Sequence, residues 1–275
     1  MIESFLLKLL GGIAMMWLLM PRKEVTDGFF RIQMLVALGL SVLLTLIVAS
    51  IPSREDTDAQ IHDSEAVSSM SSVVVGKRSD SENRFLCITQ IITAVIAYAG
   101  HIVWKLGRRL PGNIAIYSIS FLSFLSLWCV STTPGLDRNT VQFLLSNLTS
   151  AGVLGATLTG MLLGHWYLTT PTMSIGPLSW FTTTLAVAAV LRLVMTGIAF
   201  GRFGFVSQDI VHLLWLIMRI VGGILIPLAT SIVVAKILKY RNTQSATGVL
   251  FAALILVFMG EMAAALLERD LRIPY

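Results

Sequence analysis

The chain has 275 residues, of which 55% are hydrophobic and 13% charged, with a mean hydropathy of +0.81 and a formal net charge of +5. Soluble domains carry about 25% charged residues, so an ordinary water-soluble enzyme is excluded. Nucleic-acid binding is excluded as well, because the basic residues sit beside apolar runs instead of forming one patch.

The fold class that follows is all-α, a polytopic transmembrane helix bundle forming a single integral membrane domain. A helix needs roughly 20 mainly apolar residues to cross a bilayer, and lipid offers an open strand no backbone partners. On that rule eight spans are predicted, near 4–20, 29–51, 85–106, 112–131, 143–168, 178–200, 208–236 and 245–267. The first is the weakest, interrupted by Lys8 and closed by Pro21, and the count falls to seven if it lies in the interface. It carries Glu3 near its start and its basic cluster after the apolar run, which reads as a retained helix and not as a signal peptide.

Residues 52–84 are acidic, serine-rich and nearly free of aromatics, the composition of a disordered extramembrane loop. His62, among carboxylates there, reads as solvated in preference to a metal ligand. Further boundaries come from "LPGN" at 110–113, "TTPGLD" at 132–137, "TTPTMSIGP" at 169–177 and "GRFGF" at 201–205. Ser207 and Thr243 are the expected N-caps of spans seven and eight. Pro227, inside span seven, predicts a kink. Cys87 and Cys129 lie in apolar segments without metal-type spacing and read as small buried hydrophobes.

Short connectors after the odd-numbered spans hold Arg22, Lys23, Arg31, Lys105, Arg108, Arg109, Lys236, Lys239 and Arg241. The other side has almost as many basic residues, but half of them are diluted in the acidic loop. The positive-inside rule therefore places the short basic connectors in the cytoplasm, with both termini outside, in a plasma or inner membrane. No internal repeat joins the two halves, so a transporter built from equal inverted halves is not supported.

Ionisable groups in a span cost about 2.5–3.5 kcal/mol each, and they fall into two sets. His101 in span three and His165 in span five lie at the same level, near the cytoplasmic ends. Gln90, Ala94, Ala97 and His101 share one helical face, and Gly152, Ala156, Gly160 and Gly164 form a small-residue stripe ending beside His165. That stripe reads first as a helix-packing surface and second as a bed for a flat cofactor such as haem b, with the two histidines as ligands. The neighbouring Trp166 and Tyr167 make an interfacial anchor the plainer reading of His165.

Arg192 in span six and Glu261 in span eight share a level nearer the outside, and an ion pair is expected between them. His212 and Arg219, seven residues apart in span seven, are expected to join them. Such a set can lock helices together, or donate hydrogen bonds to a quinone carbonyl while a carboxylate carries protons. There is no phosphate-binding glycine loop with a lysine, no HExxH and no GxSxG. The glycine pairs in "GGIAMMW" and "VGGIL" lie within helices, and "RNTQSATG" at 241–248 reads as a cap with a cytoplasmic anchor.

The functional expectation is a membrane subunit of a redox chain. It would handle quinone at His212, Arg219, Arg192 and Glu261, and haem b at His101 and His165, with other membrane or redox subunits as partners. In architecture, though not in motif, this resembles respiratory anchor subunits. The alternatives are a transporter for a small solute or ion, and a structural or assembly protein.

Overall fold

The computed structural model describes residues 1–50, 80–131, 138–170, 173–204 and 209–271. The described residues form eight helices long and apolar enough to cross a membrane. They are α1 (Ile2–Leu19), α2 (Asp27–Ala49), α3 (Asp80–Lys105), α4 (Arg109–Ser131), α5 (Arg138–Thr169), α6 (Gly176–Phe203), α7 (Ile210–Lys239) and α8 (Thr243–Leu271). A short 3-10 turn, Arg22–Glu24, joins α1 to α2. Large apolar side chains such as Leu46, Val95, Phe121 and Val194 face outward, as a lipid-facing surface requires.

The predicted spans recur with shifted ends. α3 begins at Asp80, inside the segment expected to be loop. Glu82 in the first turn favours a helix start, since a carboxylate offsets the positive end of the helix dipole. α4 begins at Arg109 and includes Pro111 and Gly112, because a proline in the first turn gives up an N–H that has no helical partner anyway. "TTPGLD", His62 and Ser207 lie outside the described residues. The cap of α8 is Asn242 in place of Thr243: its Oδ1 accepts the Ser245 N–H at 3.0 Å. Both cysteines are half-buried, and neither is in a disulfide.

α1, the span expected to be weakest because Lys8 interrupts it, is the most buried one. It packs on α5 and α4 and reaches α2 and α8. Lys8, the residue that weakens it, is buried and pairs with Glu268 of α8 at 3.2 Å. α2 and α3 form a closely packed pair, α3 continues onto α4, and α5 packs on α6 and α8. α7 is held by α6 and α8.

Small residues set the closest crossings. A Cβ at Gly12 would overlap the Ala151 carbonyl and the Gly155 backbone, and a Cβ at Gly155 would overlap Gly12. The first glycine pair of the sequence thus lets the α1 and α5 backbones touch. The stripe on α5 is covered by protein. Gly152 faces Met15 and Ala188, Gly160 faces Phe181, and a Cβ at Gly164 would lie 2.6 Å from Thr247 Oγ1.

The second glycine pair lies in a π-helical turn, Val221–Leu225, within α7. There the Ile226 N–H bonds to the Val221 carbonyl, five residues back. Pro227 follows at once, so the irregularity expected from the proline is a π turn beginning six residues before it. A Cβ at Gly260 of α8 would overlap the Gly223 backbone, which makes this the second backbone-to-backbone crossing.

Gly12→Leu is expected to cost at least about 1–3 kcal/mol by overpacking, because backbone atoms cannot move aside as side chains do. Gly39→Leu, where an added Cβ meets nothing within 4 Å and the position is exposed, is expected to be neutral. Thermal unfolding and size-exclusion profiles of the two detergent-purified variants check the contrast.

Candidate functional site

The buried charges gather where α5, α6, α7 and α8 meet. Glu261 lies one residue beyond Gly260, and Arg219 lies one turn before Gly223, so the close crossing of α7 and α8 brings the two side chains together. Arg219 Nη1 donates to Glu261 Oε1 in a short ion pair. A Cβ at Gly223 would lie 2.9 Å from Arg219 Nη1, so the glycine also leaves room for the guanidinium.

Arg192 approaches from α6, its Nε 4.0 Å from the same Glu261 Oε1. Its Nη1 donates to the Ser146 carbonyl at 2.9 Å and the Ser146 hydroxyl at 2.6 Å, both on α5. The other carboxylate oxygen, Glu261 Oε2, accepts the Ser150 hydroxyl at 2.7 Å. All three charged residues are buried, with exposures of 1% for Arg192, 0% for Arg219 and 2% for Glu261. With the carboxylate ionised, two arginines and one glutamate carry a net charge of +1 at a buried site.

The expected Arg192–Glu261 pair is therefore present in looser form, and Arg219 is the direct partner. Two donors of Arg219, Nε and Nη2, have no hydrogen-bond partner among the described residues. Each such buried donor costs about 1–3 kcal/mol. The serines of α5 were missed by a reading built on charge. Ser146 and Ser150 lie four residues apart on one face, and that spacing was the signal available.

His212 does not join the cluster. It lies seven residues before Arg219, about 10 Å along α7, and its neighbours are Asp270 at 3.6 Å and Asp209 at 3.9 Å. The spacing placed it on the right face but two turns too far along the axis.

Comparison of the chain with protein-family models, with curated proteins and with solved structures finds no match.

The histidines of the other level have different neighbours. His101 Nδ1 lies 3.2 Å from the Arg31 carbonyl of α2, and α3 packs on α2 and α4. His165 is exposed near the end of α5, which packs on α1, α6 and α8 and less extensively on α4. The residues beside it are anchored instead. Trp166 Nε1 donates to Thr26 Oγ1 at 2.8 Å, and the Tyr167 hydroxyl donates to the Ser174 carbonyl. These bonds tie the α1–α2 connector and the start of α6 to α5. Gln90 Nε2 donates to Ser126 Oγ of α4 at 3.1 Å, and Gln33 Oε1 accepts Trp17 Nε1 at 3.4 Å. Among the described residues no group of three or more His, Cys, Asp or Glu side chains is placed to hold a metal ion.

Glu261→Leu is expected to destabilise the protein by about 3–5 kcal/mol, since it leaves two buried arginines uncompensated. Arg219→Met combined with Glu261→Leu is expected to cost less than the sum of the single changes, because the cycle removes both partners of one pair. Thermal unfolding of the three variants in detergent measures the coupling.

Proposed function

We propose that the protein is a quinone-reactive membrane subunit, in which the Arg219 guanidinium donates to a quinone carbonyl and Glu261 carries the proton that accompanies electrons exchanged with a partner redox subunit. The observation that carries this reading is the pair of buried Arg219 donors, Nε and Nη2, with no partner among the described residues and beside a carboxylate. A carbonyl oxygen accepts such donors, and a carboxylate within hydrogen-bond reach of a reducible carbonyl is the ordinary general acid or base for it. The net positive charge of the cluster favours the more negative, reduced forms of the bound ring. Arg192, held by Ser146, biases the site in the same direction.

In this reading the short basic connectors are cytoplasmic and both termini lie outside. Haem b is not part of the proposal, because α3 and α5, which carry His101 and His165, are not packed closely against each other and His165 faces outward.

A second reading, a carrier for a small anion, draws on two observations. The cluster has one positive charge to spare, and α7 is interrupted by a π turn beside it, as broken helices are at many transport sites.

Titration of the purified protein with a tail-less benzoquinone, followed by quenching of tryptophan fluorescence, separates the readings. The quinone reading expects saturable binding that Arg219→Met abolishes and Glu261→Gln makes less pH-dependent. A linear, non-saturating response, together with Arg219-dependent uptake of an anion into proteoliposomes, would replace it with the carrier.

A further inference from the structure

A polar seam between α5 and α6 joins Glu261 to one end of the bundle. Gln142, Ser146 and Ser150 follow one another at every fourth residue of α5, and each bonds to a charged group of a neighbouring helix. Gln142 Oε1 accepts from Arg202 Nη1 of α6, Ser146 Oγ accepts from Arg192 Nη1, and Ser150 Oγ donates to Glu261 Oε2. Thr196 lies one turn beyond Arg192 on α6. Arg202 is exposed where α6 ends, whereas Gln142, Ser146 and Thr196 are buried. Gln142 Nε2 and Thr196 Oγ1 have no hydrogen-bond partner among the described residues.

We propose that this seam is a water-bridged proton route that opens at Arg202 and ends at Glu261, so that the carboxylate exchanges protons with that end of the bundle alone. The inference rests on the reading in which Glu261 carries a proton, and it names the side from which the proton comes.

The spacing of the rungs suits water. Residues four apart are separated by about 6 Å along a helix, or two hydrogen bonds of about 2.8 Å each, so one water fits between successive rungs. A buried water needs about two to four polar partners, and Gln142 Nε2, Thr196 Oγ1 and the Ser146 hydroxyl supply them. A proton on the last water passes to the Ser150 hydroxyl as that hydroxyl gives its own to Glu261 Oε2. The hydroxyl is restored, and the carboxylate has gained one proton.

The other ways out are apolar. Toward the far end of the bundle, the next two turns present Leu154 of α5, Leu185 and Ala189 of α6 and Val257 of α8, all buried. Along α7 and α8, in the direction of His212 and Asp270, the buried residues Ala199, Leu216 and Leu267 form a separate apolar cluster. A proton entering either would leave its hydrogen-bonded partners behind.

The test places single cysteines in full-length protein carrying Cys87→Ala and Cys129→Ala. A brief X-ray pulse makes hydroxyl radicals from bound water where it sits, and mass spectrometry counts the oxidised thiols. Ser146→Cys and Thr196→Cys are expected to be oxidised faster, by roughly tenfold or more, than the equally buried Ala189→Cys and Val257→Cys. Equal rates at the four positions, or faster oxidation at Ala189→Cys or Val257→Cys, overturn the inference.

A second measurement follows the tryptophan fluorescence of the benzoquinone complex after a pH jump. Thr196→Leu, which fills the seam with apolar atoms, is expected to slow the relaxation by about tenfold or more. Gly197→Leu, at an exposed neighbour where an added Cβ meets nothing within 4 Å, is expected to leave it unchanged. A relaxation indifferent to Thr196→Leu overturns the route. The benzoquinone titration itself separates the failures. If benzoquinone binds in an Arg219-dependent way while the four thiols react alike, the route alone is lost. If benzoquinone does not bind, the quinone reading falls and the contrast between the thiols decides the route by itself.

Discussion

A carboxylate shared by two arginines inside a hydrocarbon slab is the interaction on which the rest of the structure turns. Each of these groups alone costs about 2.5–3.5 kcal/mol at the centre of a span. At an effective dielectric constant near 20, a pair of opposite charges 4 Å apart recovers about 4 kcal/mol. The offset therefore demands contact distance, and contact distance demands that four helices be held in one register. Ser146 and Ser150 complete the arrangement by satisfying one Arg192 nitrogen and the second oxygen of Glu261. A slip of one residue in α8 would rotate the carboxylate away from both arginines, so the cluster fixes the rotation of its helices as well as their association.

Glycine makes that contact distance reachable. In lipid the hydrophobic effect does not draw helices together, and close approach through small residues takes its place. Gly223 and Gly260 let α7 and α8 touch one residue away from Glu261, and Gly12 with Gly155 does the same for α1 and α5. The π turn in α7 belongs to the same device. An extra residue in the turn shifts the face presented after it, so one side of α7 can offer Arg219 to α8 while Pro227 still packs inside the bundle.

What could be read from the residues follows from these constraints. The spans were legible because lipid leaves the backbone no structure other than a helix, and the shared level of Arg192 and Glu261 followed from span direction and residue count. Which helices are neighbours was not legible. It depends on crossings between residues more than a hundred positions apart, such as Gly12 and Gly155. His212 shows the same gap within one helix: a spacing of seven fixes a face, but the depth of the partner decides which residue on that face is used. α1 was undervalued for a related reason. Hydropathy measures affinity for lipid, and a central helix that meets little lipid can carry Lys8 when Glu268 is there to receive it.

A purely structural role explains the cluster incompletely. A lock between α7 and α8 needs one cation and one anion, and replacing a buried pair by apolar residues of equal volume is often neutral or stabilising. Here a second arginine is added to the same carboxylate oxygen. Arg219 keeps two donors that no described residue satisfies, at about 1–3 kcal/mol each. Those terms work against a mere lock. They are offset if the cluster spends part of its time with an oxygen-bearing ligand in place, since a carbonyl or anionic oxygen supplies the missing acceptor and reduces the uncompensated charge in one step.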